Sequence, residues 1–137
     1  DGAQRKGFVD QARQLFETLG DRFLAFHEDT VLPEGVEPVP APGHTPGHCA
    51  YRVKSGKEEL LHISDLATNF AVTFEKPEWD FIFDCEPAEA IATRGRILRR
   101  AAAGKTRAWG NHRPFPGQGR VRTEAQAPRW EAESWVF

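Results

Sequence analysis

Twenty acidic side chains against eighteen basic ones leave this 137-residue chain at a formal net charge of −2. That balance, with no long basic run, gives no electrostatic footing for nucleic acid or an anionic membrane surface. No apolar stretch approaches the roughly 20 residues of a membrane-spanning helix. The length suits a single domain over 1–137 with a real core. Ten phenylalanines and four tryptophans supply aromatic surface that needs burying. The two cysteines, Cys49 and Cys85, form no CxxC pair and read as reduced thiols.

Taken in order, Phe8, Val9, Ala12, Leu15, Phe16 and Leu19 make an apolar stripe at helical spacing, and Gly20 stops it. This predicts an amphipathic helix over 8–19, packed on a core. His27-Glu28-Asp29 is a local cluster of titratable groups and reads as an exposed loop. Leu32-Pro33-Glu34-Gly35 is a turn. Val36 to Ala41 is extended and interrupted by Pro38 and Pro40. Next comes Pro42-Gly43-His44-Thr45-Pro46-Gly47-His48, with two histidines, two glycines and two prolines in seven residues. Proline fixes φ and glycine permits φ > 0, so this is a stiff loop that cannot be helical.

The runs 48–54 and 59–64 predict a hairpin about Ser55-Gly56-Lys57-Glu58. The second run ends at Asp65, a carboxylate at a strand end, where sites are commonly built. The segment 67–80 reads as irregular, and Trp79, Phe81, Ile82 and Phe83 read as an apolar knot. Asp84-Cys85-Glu86-Pro87 opens a helix, with proline at the first helical position. That helix runs to about Ala103 and stops at Gly104. Ile91, Leu98 and Ala102 are expected to face inward, and Arg94, Arg96, Arg99 and Arg100 to form a solvated face. A short strand over 106–109 leads to a second stiff loop, Gly110-Asn111-His112-Arg113-Pro114-Phe115-Pro116-Gly117. The stretch 119–137 reads as two strands carrying Trp130 and Trp135.

Three residues stand out: His44, Asp65 and His112, each at a strand-to-loop transition. Taken singly, each has a structural reading. Taken together, two imidazoles and a carboxylate suit zinc or a similar divalent ion. His62 lies within a strand and reads as packed.

The runs Ala41-Pro42-Gly43-His44-Thr45-Pro46-Gly47-His48, Leu60-Leu61-His62-Ile63-Ser64-Asp65 and His112-Arg113-Pro114-Phe115-Pro116-Gly117 resemble, in that order, the C-terminal part of a metallo-β-lactamase-fold hydrolase. The branch they resemble is that of methyl parathion hydrolase and the related lactonases. Asp84-Cys85-Glu86-Pro87 with Ala92-Thr93-Arg94 fits the same branch. The resemblance spans about 33–122. It implies an α+β fold, half of an αββα sandwich with its connecting helix. It also implies a site for two zinc ions. By that resemblance His44 serves the first metal, Asp65 bridges the two and His112 serves the second. His48 occupies a supporting position behind the ligands.

The implied activity is hydrolysis of a small-molecule lactone, ester or organophosphate by a metal-bridging hydroxide. The family's upstream His-x-His-x-Asp-His motif has no counterpart here, and Ser64 replaces the glycine usual before the aspartate. The expectation is therefore a chain whose N-terminal half is absent, the start at Asp1 without methionine agreeing, or else a degenerate copy. A non-catalytic module lacking half the metal site is the alternative function. A homodimer that covers the open sheet face is the alternative assembly. No feature assigns a compartment.

Overall fold

The computed structural model describes residues 2–27, 30–124 and 127–134, with residues 2–5 as backbone alone. The chain divides into two compact units, Asp1–Val31 and Leu32–Phe137. In the first unit, helix α1 spans Gly2–Leu19 and is followed by a 3-10 turn over Gly20–Arg22. The stripe is helical as its spacing predicts. Its residues are not buried, however: Phe8, Val9, Leu15 and Phe16 are all exposed, and the ring of Phe16 stacks on that of Phe23 at 4.2 Å.

The second unit is one mixed sheet. Its strands are β1 (Val36–Pro40), β2 (Cys49–Ser55), β3 (Glu58–His62), β4 (Arg107–Trp109), β5 (Gln118–Glu124) and β6 (Ala127–Ala132). They lie side by side in sequence order, six strands across. Every neighbouring pair is antiparallel except β3 and β4. A parallel pair needs a crossover. Here it is made by a short helix α2 (Phe70–Glu75) and the long helix α3 (Pro87–Ala103). Pro38 and Pro40 sit on β1, an edge strand, where a missing N–H breaks no inner ladder.

Alternation along the strands separates two faces. One face carries Ala50, Leu61, Ile63, Ala108 and Val121, which join Phe74 of α2 and Ile97, Leu98 and Ala101 of α3 in the core. Ile63, Leu98 and Val121 are its largest fully buried side chains. Each contributes about 1.5–3 kcal/mol through burial. The opposite face carries Tyr51, Leu60, His62 and Trp109. The His62 ring lies 4.5 Å from that of Trp109 and 6.4 Å from that of Tyr51, so His62 is packed, as its place within a strand suggested. The fold is thus α+β, a sheet with helices on one face.

Three elements depart from expectation. The stretch 67–80 contains α2, which sequence patterning leaves irregular. It starts because the Asn69 side chain accepts the Val72 N–H at 3.0 Å, satisfying one of the orphan donors of a helix start. The expected apolar knot is open to solvent: Trp79 and Ile82 are 57% and 84% exposed. Helix α3 buries Leu98 as expected, but Ala90 and Ala101 are buried in place of the expected Ile91 and Ala102. Ala90, Thr93, Arg94, Ile97, Leu98 and Ala101 are its buried residues, so Arg94 is not on a solvated face. Gly104 closes α3 as predicted. Trp135 and the Glu28-Asp29 part of the His27 cluster lie outside the described residues.

Burial pushes the His62 imidazole below its ordinary value, opposed by the side chain of Asn111. A histidine kept neutral by folding stabilises fully above about pH 6.5, and that contribution disappears as pH falls through the depressed folded value. Thermal unfolding between pH 8 and pH 5 is therefore expected to show a falling midpoint, with a shallower slope in His62→Gln. An identical slope in the variant would remove His62 from the account.

Candidate metal centre

Three connections leave the same edge of the sheet and bring the sequence-singled residues together. The first is the stiff loop between β1 and β2, which carries His44 and His48. Its backbone is tied down at both ends, with Ala41 N–H donating to His48 C=O at 2.8 Å and His48 N–H to Thr45 C=O at 3.2 Å. It also docks on the start of α3, through Glu86 N–H to Gly43 C=O at 2.9 Å and Cys85 N–H to His44 C=O at 3.1 Å. Gly43 has φ +126°, and a Cβ there would stand 2.2 Å from the Ala90 nitrogen. Only glycine allows this approach.

The second connection is the 3-10 turn Ser64–Ala67 after β3, which carries Asp65. Asp65 is therefore one turn past the strand end, not on it. Ser64 has φ 51°, the left-handed region that a glycine enters without steric cost. The third connection is the loop between β4 and β5. It carries His112, itself at φ 59°.

Asp65 is the meeting point. His44 Nε2 lies 3.8 Å from Asp65 Oδ2, and His112 Nε2 lies 3.1 Å from Asp65 Oδ1. Each imidazole thus faces a different oxygen of one carboxylate. His112 is the most exposed of the three, at 55% of its side chain, against 34% for Asp65 and 19% for His44.

Behind them stands a network that sequence reasoning passed over. His44 Nδ1 is 3.0 Å from Asp84 Oδ1. The other oxygen, Oδ2, accepts from Arg94 Nη2 at 3.2 Å and from the Phe81 N–H at 3.3 Å. Asp84 and Arg94 are 2% and 4% exposed. Arg94 also donates to the carbonyls of Leu66 (2.9 Å), Pro77 (3.1 Å) and Trp79 (2.8 Å). A carboxylate held by a guanidinium can only accept, so His44 donates through Nδ1 and turns its Nε2 toward Asp65.

The same logic fixes His48. Its Nδ1 donates to Ala41 C=O at 2.9 Å, and its Nε2 accepts the Asp65 N–H at 3.1 Å. Both nitrogens are committed, so His48 positions Asp65 and has no free lone pair. Burial pushes its imidazole down, in keeping with this neutral form. The signal for Arg94 was present in the sequence. It falls in the middle of the stripe Ala90, Arg94, Ile97, Leu98, Ala101, at helical spacing.

Two ligands about 2.0–2.2 Å from one tetrahedral zinc stand roughly 3.3–3.5 Å apart. The two His–Asp65 separations bracket that span, and the Nε2 of His44 is the atom a metal would take. A hollow of about 10 Å³ lies between His44, His48, Asp65 and Arg94, about the size of one water or small ion. The donors therefore fit zinc in kind and spacing. They fall short in number. Among the described residues no set of three or more His, Cys, Asp or Glu side chains is arranged to hold an ion, whereas zinc sites use three or four protein ligands.

No protein-family model matches the sequence, and no curated protein matches it. Solved structures do. The chain is 25% identical to the hydrolase AbOPH of the beta-lactamase superfamily, over 98% of this chain and 47% of that one, with a TM-score of 0.91. It is 32% identical to AidC, a dizinc quorum-quenching lactonase, over 82% of this chain and 38% of that one, with a TM-score of 0.77.

This chain belongs to the metallo-β-lactamase superfamily.

A probable metal-dependent hydrolase from Staphylococcus aureus, 16% identical with a TM-score of 0.63, shares the fold alone, over 82% of this chain and 41% of its own. The chain spans less than half the length of each of these three solved structures.

Removing one member of a buried ion pair strands the other and costs about 3–5 kcal/mol. Arg94→Met is expected to lose that much in urea denaturation. Adding Asp84→Asn, which removes the stranded charge, should recover at least about 1 kcal/mol of it. Strict additivity of the two substitutions would show that the pair is not coupled.

Proposed function

We infer that this chain supplies His44, Asp65 and His112 to a zinc site in a metal-dependent hydrolase acting on a lactone, an ester or an organophosphate. The observation that carries the reading is the pair of imidazole Nε2 atoms set against the two oxygens of Asp65. The match to a dizinc lactonase and to a hydrolase of the superfamily supports it. In this reading His44 and Asp65 would hold one ion, and Asp65 and His112 would hold a second. A divalent ion so placed lowers the pKa of bound water and polarises a carbonyl or phosphoryl oxygen.

The chain's own residues do the preparatory work. Asp84 fixes the tautomer and direction of His44, as a carboxylate behind a metal-binding imidazole does. His48 holds the backbone of Asp65, so the carboxylate is presented in one orientation. Arg94 locks Leu66, next to Asp65, onto the same helix that positions Asp84. These groups are set before substrate arrives, which is the condition under which such a site is effective.

A second reading is favoured by the ligand count. With one imidazole and one carboxylate oxygen for each ion, the chain also suits a non-catalytic module of the same fold. Metal binding separates the two. Titration of the chain with zinc chloride, followed by calorimetry, is expected to show uptake that Asp65→Ala weakens at least ten-fold, because both pairs share that residue. His44→Ala and His112→Ala should each remove about half of the uptake. Any hydrolysis of a lactone, an aryl ester or a phosphotriester should disappear with Asp65→Ala. Zinc uptake that Asp65→Ala leaves unchanged would overturn the assignment. Absence of uptake in the unaltered chain would favour the non-catalytic module.

A further inference from the structure

A second hollow of the sheet unit lies away from the candidate metal centre. It is a cleft of about 550 Å³ between the C-terminal half of α3 and the sheet, and none of its lining residues belongs to the His44–Asp65–His112 site. The parallel strands β3 and β4 explain the separation. Their C-terminal ends feed the loops that carry Asp65 and His112. Their N-terminal ends, at Glu58 and Arg107, border the cleft. A strand of five residues places the two regions about 16 Å apart.

The cleft is unlike the rest of the molecule in charge. Its lining includes Arg52, Arg96, Arg100, Lys105, Arg107 and Arg120, against the carboxylates of Glu58 and Glu59, in a chain whose net charge is −2. Its floor is apolar, formed by Val39, Leu61, Ile97 and Ala101. Some of the cations are already engaged. Arg52 pairs with Glu37 at 3.0 Å, Arg107 with Glu133 at 2.6 Å, and Arg96 donates to the Pro40 carbonyl at 3.1 Å. The side chains of Arg100 and Lys105 have no hydrogen-bond or ion-pair partner among the described residues.

The negative end of the α3 dipole accounts for a cation in its last turn, where Arg100 stands. It does not account for arginines arriving at the same hollow from three strands. The carboxylates of Glu37, Glu59 and Glu133 meet Arg52, Arg107 and Arg120 there, which leaves Arg100 and Lys105 as the cations open to an anion.

We propose that this cleft binds a small organic phosphate monoester, with its dianion between Arg100 and Lys105 and its apolar body on Leu61, Ile97 and Ala101. The volume lies in the 300–1,000 Å³ range of small-molecule sites. Guanidinium groups match the geometry of a phosphate's oxygens. Arg100 and Lys105 offer two positive charges to the dianion, with the Glu58 carboxylate on the same lining.

Phenyl phosphate, titrated into isotopically labelled protein at constant ionic strength, tests this by amide chemical shifts. Saturable shifts are expected at Leu61, Ile97 and Ala101. Affinity should be at least ten-fold higher than for benzoate or for inorganic phosphate. It should fall at least ten-fold in the exposed double variant Arg100→Gln/Lys105→Gln, whose fold is checked by circular dichroism. Shifts absent from these amides, equal affinity for benzoate, or unchanged binding in the double variant would each overturn the proposal. None of these outcomes depends on zinc or on Asp65, so the reading of the metal centre stands or fails separately.

Discussion

Asp84 and Arg94 are two charges removed from water, and the arrangement of His44 and Asp65 depends on their meeting. Arg94 spreads its donors over Leu66, Pro77, Trp79 and Asp84, so one side chain ties together the turn that holds Asp65, the loop before Asp84 and helix α3. Asp84 passes that rigidity on to His44. A buried pair of this kind is a poor source of net stability, since desolvation offsets much of its attraction. Its value lies in direction. With the guanidinium in place, Asp84 can only accept, and His44 can present only its Nε2. His48 does the same for the backbone of Asp65 from the other side.

The result is a prepared pair of half-sites around one carboxylate. The imidazoles come from loops that cannot relax. His44 is in a segment stiffened by Pro42, Pro46 and the Gly43 contact with α3, and His112 has a left-handed backbone. The two His–Asp65 separations, 3.8 and 3.1 Å, lie on either side of the spacing of two zinc ligands, and among the described residues no further ligands complete a metal site. That combination links the geometry to the match with a dizinc lactonase and also keeps the non-catalytic module in view. At the far ends of β3 and β4 the sheet builds a second, chemically different hollow, basic where the first is a carboxylate between imidazoles.

Much of this was legible in the sequence, for local reasons. Proline and glycine mark the loops at 42–48 and 110–117 whatever the tertiary context, and Pro87 and Gly104 bracket α3 as first-turn and stop residues do. The hairpin about Gly56 and Lys57 followed from turn chemistry. What escaped depends on residues distant in sequence. Composition alone places Arg94 on a solvated face, because arginine is usually exposed. Its burial depends on Asp84 and on three carbonyls that sequence alone does not bring near. Helix α2 escaped because its start rests on one capping contact from Asn69. Of Ile91, Leu98 and Ala102, only Leu98 lies on the buried stripe of α3, and with Ala90 and Ala101 in place of the other two, Arg94 falls within that stripe.

The most direct test of the account is the tautomer of the site histidines, read from long-range proton–nitrogen correlations of the imidazole rings near pH 8. The account predicts that His44 and His48 both carry the proton on Nδ1, and that Arg94→Met relaxes His44 toward a mixture of tautomers while leaving His48 unchanged. A proton on Nε2 of His44 in the unaltered protein would contradict it, because Asp84 would then not be directing that imidazole toward Asp65.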